Sequence, residues 1–127
     1  MVKCVASLPR IPKHTVFEAL ADIHIRKKWD EVLSNLTIIE ENFNESTCIF
    51  YYNIKSPSFM QSREVIVSSK VMTDFLRDGV LALHHKTIDH PDYPENPEKF
   101  IRVKQKINAF TFEELTDMQG TMITWIV

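Results

Sequence analysis

The stretch TCIFYYNIKSPSFMQSREVIVSSKVM, residues 47 to 72, decides how this chain is built. In its first arm every second residue is apolar, Cys48, Phe50, Tyr52 and Ile54, set against Ile49, Tyr51, Asn53 and Lys55. The second arm puts Val65, Val67 and Val71 in one phase with Ser69, and Glu64, Ser68 and Lys70 in the other. A period of two in β-branched and aromatic residues predicts two strands, each with one apolar face, and Ser56-Pro57-Ser58 supplies the turn between them.

Working outward, TIIEEN (37–42), VLALHHKTI (80–88), FIRVKQKINAFTFEEL (100–115) and TMITWIV (121–127) read as further strands. Turn chemistry separates them at 42–46, 77–79, 91–97 and 117–120, so the six strands predict an antiparallel sheet in meander order. In the 100–115 segment Ile101, Val103 and Ile107 oppose Arg102, Lys104 and Lys106, again giving one apolar face. Upstream, Val16, Leu20 and Ile23 form a helical stripe that predicts helix over 15–33, started by a Thr15/Glu18 capping box. Ile23 and Ile25 around His24 predict a break there, followed by a second apolar turn of Trp29, Val32 and Leu33. That much helix is too little to cover a whole sheet face.

The bulk numbers narrow the function. A chain of 127 residues with 44% apolar and 25% charged residues is one soluble domain, and no apolar run is long enough to span a membrane. With a net charge of −2 and its basic run Arg26-Lys27-Lys28 flanked by Asp22, Asp30 and Glu31, the chain is not a general nucleic-acid binder, and the run reads as a solvated helix face. Two glycines exclude glycine-rich phosphate loops. Two distant cysteines without a CxxC pair point to a reduced, cytosolic setting and away from structural zinc, and Cys48 among aromatics reads as a core thiol.

His84, His85, Asp89 and His90 invite a metal or acid/base reading. Strand alternation sends His84 and His85 to opposite faces, so they cannot chelate one ion together, and no metal site is expected.

Four anchors in order carry a family resemblance. VFEALADIHIRKKWDEVL (16–33) places Arg26, Trp29 and Asp30 in an Arg-x-x-Trp-Asp pattern, and YYNIKSPSFMQSREV (51–65) joins an aromatic strand, a proline turn and the Arg63-Glu64 pair. IDHPDYPENPEKFIRV (88–103) is a His-Pro loop entering a strand, and TMITWIV (121–127) closes the series. Together they resemble the START domains, the steroidogenic-acute-regulatory-protein-related lipid-transfer modules.

The resemblance covers essentially the whole chain and implies an α+β helix-grip fold, a single partial START-like domain over 1–127. In such a domain a helix and two strands come before this segment, and a C-terminal helix closes a cavity that holds one lipid. It implies lipid binding and non-vesicular transfer by Phe50, Tyr52, Ile54, Arg63, Val65, Val67, Ser69, Leu83, His85, Val103 and Trp125. The apolar members would form walls, Tyr52, Ser69 and His85 would hydrogen-bond a head group, and Arg63 would meet the head or the pocket mouth. The alternative for Arg63 is an ion pair with Glu64 or a loop acid, and the alternative for both Trp29 and Trp125 is plain packing. In the sterol-carrying branch a buried arginine faces an acid on the preceding strand; the matching positions here are Ser69 and about Phe50, so that charged pair is absent.

The expected partners are a lipid (phospholipid, ceramide or sterol) and, transiently, a membrane, with no nucleic acid. No cofactor or catalytic residue is expected, and the chain would be cytoplasmic and peripheral at membranes. A lipid-sensing regulatory module, or a hydrolase using His85 and Asp89 on the same scaffold, are the alternative readings.

Overall fold

A computed structural model describes residues 1–116 and 119–127. The described elements are β1 (Lys3–Leu8), α1 (Lys13–Ala21), α2 (Ile23–Trp29), β2 (Leu33–Asn42), β3 (Thr47–Ile54), β4 (Arg63–Met72), β5 (Leu81–Thr87), β6 (Ile101–Arg102), β7 (Asn108–Leu115) and β8 (Gly120–Ile126). They build one sheet in the order β1-β8-β7-β5-β4-β3-β2, with β6 set beside β4. Every pairing is antiparallel except β4 with β6.

The hairpin of residues 47–72 forms in the predicted phase. Phe50 opposes Val67 and Tyr52 opposes Val65, so the apolar sets of both arms share one face. Four expectations are corrected. A strand precedes the helices: β1 lies along β8, with Cys4 opposite Trp125 and Ala6 opposite Ile123, while the expected strands keep their antiparallel meander order as β2-β3-β4-β5-β7-β8. The 100–115 segment is two strands, because the Thr87 hydroxyl binds both the N–H and the C=O of Gln105 and takes that backbone out of the ladder.

The helix begins at Lys13 rather than Thr15. Pro12 precedes it with φ −61°, and no side-chain cap forms there, so the Thr15/Glu18 box is not used. It also ends before Leu33, which already belongs to β2. The break falls at Asp22, which ends α1 and caps α2, its carboxylate accepting from His24 N at 2.8 Å and Ile25 N at 3.3 Å. Of the turn foreseen at 117–120, Asp117 and Met118 lie outside the described residues.

The two helices cover more of the sheet than their length suggests, because each seals a different part. Ile23 of α2 packs with Leu36, Phe50, Val65 and Val67. Val16 of α1 packs with Leu83 and Phe112, joined by Phe17, Leu20 and Phe110, and the Phe17 ring meets Phe112 edge-on at 5.3 Å. Fully burying one such side chain stabilises the fold by about 1.5–3 kcal/mol.

Candidate functional site

Cross-strand register places the inner-face residues in rungs. Arg63 lies between Ile54 and Ile101, Val65 beside Tyr52, and Val67 between Phe50 and Thr87. The next rungs run Cys48, Ser69, His85, Asn108 and then Val71, Leu83, Phe110, Trp125. Phe50, Val65, Val67, Ser69, Leu83 and His85 are all buried, while Tyr52, Ile54 and Val103 are half-buried and pack against the Phe50 cluster. With half-buried Arg63, ten of the eleven expected residues are thus buried or half-buried, Leu83 in the Val16 cluster and Phe50, Val65 and Val67 in the Ile23 cluster, and Trp125 marks the open side at 39% exposure. Its ring stacks on Phe110 at 5.9 Å and its Nε1 donates to Asn108 Oδ1 at 2.7 Å.

The polar groups of this face are unusual for a core. His85 is only 6% exposed and sits between the Phe50 and Phe110 rings, each 6.0 Å away and near edge-on. Burial pushes its pKa down to about 4, with the charges of Arg26 and His84 adding to the effect. Burial pushes the Tyr52 phenol up, with Arg26 opposing and Asp30 reinforcing that shift. Side-chain hydrogen bonds here run from Arg26 to Asp30, Thr87 to Gln105 and Trp125 to Asn108. None of these bonds takes in the Tyr52 hydroxyl, Ser69 Oγ or a His85 ring nitrogen, and the buried side-chain polar atom that lacks a hydrogen bond among the described residues is a different one, Ser56 Oγ.

Sequence reasoning placed Arg26 in the family pattern but missed its position beside the inner face. It is not part of a solvated face: its side chain is 18% exposed, and its Nε donates to Asp30 Oδ2 at 3.0 Å across one helical turn. The pair is close enough to the inner face for its charges to bear on both Tyr52 and His85. The signal was present, since Arg26 stands three residues after the core residue Ile23 and four before Asp30, one stripe of the helix. The neighbouring Lys27 and Lys28 are exposed, as expected.

Two pairings differ from expectation. Arg63 does not pair with Glu64: alternation sends Glu64 to the outer face, where its carboxylate meets Arg102 at 2.8 Å. Ser69 stands opposite Cys48 rather than Phe50, and the Ser69–Cys48 pair carries no charge. His84 shares a rung with Lys70 on the outer face, opposite in direction to His85. Asp89 is exposed and faces Lys104, so the structure does not bring it to His85. A cleft of about 380 Å³ opens between the α1–α2 junction and the β2–β3 hairpin, with Cys48, Ser69 and Val71 among its lining and His24 and Glu41 in contact at 3.4 Å.

A curved antiparallel sheet gripping helices, with an apolar inner face that carries a few polar groups, defines a helix-grip domain of the α+β class. The chain matches the START domain family over residues 1–127, and it belongs to that family. It is 30% identical over 88 residues to the mouse mitochondrial StAR-related lipid transfer protein 7, covering 69% of this chain and 23% of that protein. To human START domain-containing protein 10 it is 24% identical over 139 residues, 99% of this chain and 46% of the relative. The chain therefore spans less than half the length of these relatives.

The crystal structure of human STARD10 superposes with a TM-score of 0.82 at 22% identity, over 97% of this chain and 48% of that one. Human StAR-related lipid transfer protein 5 gives 0.80 at 18% identity, over 97% and 57%. At these identities the structural likeness speaks for the fold.

Proposed function

We propose that the inner face binds one lipid and that the chain carries it between membranes by partition rather than by chemistry. The observation that carries this reading is that Tyr52, Ser69 and His85 place polar groups on an otherwise apolar inner face, next to a cleft that Cys48, Ser69 and Val71 help to line. Apolar walls with a few polar groups to fix a head group are what a lipid pocket requires. Phe50, Ile54, Val65, Val67, Leu83 and Val103 are the apolar wall for acyl chains or a sterol body, and Arg63 and Trp125 stand at its margins. The lipid-transfer names of relatives in the family support the same reading.

The head region has no net charge. Arg26 and Asp30 neutralise each other and His85 is uncharged at neutral pH, which favours a zwitterionic phospholipid, a ceramide or a sterol over an anionic lipid. Sequestering acyl chains from water is favourable by about 0.8 kcal/mol per CH₂, enough for an enclosed site to compete with a bilayer.

Membrane contact fits the end of the sheet where Val32, Phe59, Met60 and Ile101 are exposed. Backbone bonds from Lys55 to Val32 and from Ile101 to Ser62, with the Gln61 to Pro97 bond, hold those segments at one end, where Lys55, Arg63 and Lys99 add positive charge. Among the described residues no helix is long and apolar enough to cross a membrane, and the location proposed is cytoplasmic and peripheral.

Transfer of fluorescent phosphatidylcholine between vesicles tests the function. The chain should accelerate transfer, and F59D should slow it while leaving binding intact. Binding without accelerated transfer would instead identify a lipid sensor.

A further inference from the structure

The outer face of the sheet carries a buried polar network that the lipid site does not touch. Arg102 directs Nε and Nη2 to Glu64 Oε1 at 2.9 and 2.8 Å, and Nη2 also donates to the Tyr93 carbonyl at 2.9 Å. The Tyr51 hydroxyl donates to Glu64 Oε2 at 3.0 Å and accepts from Asn53 Nδ2 at 2.8 Å, and Asn35 donates to Asn53 Oδ1 at 3.0 Å. The Tyr93 ring stacks on Tyr51 at 5.1 Å, so the proline-rich segment is held against the sheet. The Glu64 and Arg102 side chains are 6% and 3% exposed.

The backbone alone holds β6 weakly. It has two residues, paired with Arg63 and Glu64 of β4, and the Ile101 N to Ser62 O bond at 3.0 Å and the Val103 N to Glu64 O bond at 2.9 Å flank that short ladder. A slip of one residue would turn Val103 to the outer face and drive the Arg102 charge into the apolar inner face. We propose that Glu64 and Arg102 are positioning residues for the lipid site: their ion pair on the outer face fixes the register that sets Val103 against Phe50, Val65 and Val67 on the inner face. The proposal rests on the lipid-binding reading for its functional consequence and on geometry for its structural one.

The test uses the 127-residue chain with C4S as background and compares V103C with V103C/E64Q. Glutamine keeps the shape of Glu64 and removes its charge. Iodoacetamide labelling followed by mass, with Cys48 as internal reference, should show the thiol at position 103 reacting about tenfold faster in E64Q and Cys48 unchanged. E64Q with Val103 intact should bind fluorescent phosphatidylcholine about fivefold more weakly than the parent. A folded E64Q in which position 103 stays protected overturns the proposal, as does equal acceleration at position 103 and Cys48, the mark of general destabilisation. Should circular dichroism show E64Q unfolded, Y51F, which removes one bond to Glu64, must give the same selective change at smaller size, and no change overturns the proposal. If the parent chain binds no fluorescent lipid, the lipid reading is the one that falls, and the labelling comparison still decides the positioning claim.

Discussion

Acidification should destabilise this protein through His85. Its ordinary pKa is 6.5, and burial between Phe50 and Phe110 lowers it to about 4 in the folded chain. The sign follows from proton counts: between those values the unfolded chain binds a proton that the folded chain does not, so stability is intact above about pH 6.5 and falls as pH drops. With these two pKa values the loss is about 2 kcal/mol by about pH 5 and about 3 kcal/mol by about pH 4. For a domain of this size that is a large share of the total. Urea unfolding from about pH 7 to pH 4 on the parent chain and on H85N measures it, because the other four histidines and the carboxylates contribute to both and cancel in the difference. The parent curve should be the steeper by about 2–3 kcal/mol over that range. Parallel curves would show that His85 titrates in the folded chain as it does unfolded, and the account of a buried histidine on the inner face would be wrong.

Two further outcomes follow from local geometry. A Cβ on Gly120 would sit 2.5 Å from the Leu8 carbonyl oxygen and 2.9 Å from Pro9 Cα, backbone that cannot swing away, so G120A should lower stability by about 1–3 kcal/mol in thermal melts. Unchanged melting would refute the tight β1–β8 junction. The Cys48 thiol is pushed up to about 11 by burial, with the Glu41 charge adding, whereas Cys4 is exposed on β1. Iodoacetamide at neutral pH should therefore modify Cys4 well before Cys48, and equal rates would show that the Cys48 side of the sheet is open.

Much of the fold was legible because it rests on strong local patterns. The hairpin of 47–72, β5 and β8 declare themselves through period two, and the helical break is written in the crowding near residues 22–25. β1 was not legible: its KCVASL has small, weakly alternating residues, all but Leu8 exposed, and its partner is more than a hundred residues away in sequence. The split within 100–115 was hidden because the apolar alternation continues through it, while the interruption comes from the Thr87 hydroxyl on another strand.

The candidate site shows the same division. Phase alone assembled Phe50, Tyr52, Val65, Val67, Ser69, Leu83 and His85, since register makes residues of one phase neighbours. Arg26 was lost in a run of basic residues, because its burial depends on where the helix docks. The destination of Glu64 was missed for a similar reason: its partner Arg102 lies 38 residues on and arrives through a parallel two-residue strand that no local signal announces.

The central claim, one lipid held on the inner face, is tested most directly by native mass spectrometry of the purified chain after exposure to mixed vesicles, followed by solvent extraction. The account predicts a protein peak shifted by the mass of one lipid, zwitterionic or uncharged in its head, and loss of that shift when His85 and Tyr52 are both replaced by leucine. A chain that stays free of lipid from every vesicle composition, or that takes up anionic lipid equally well, would contradict it.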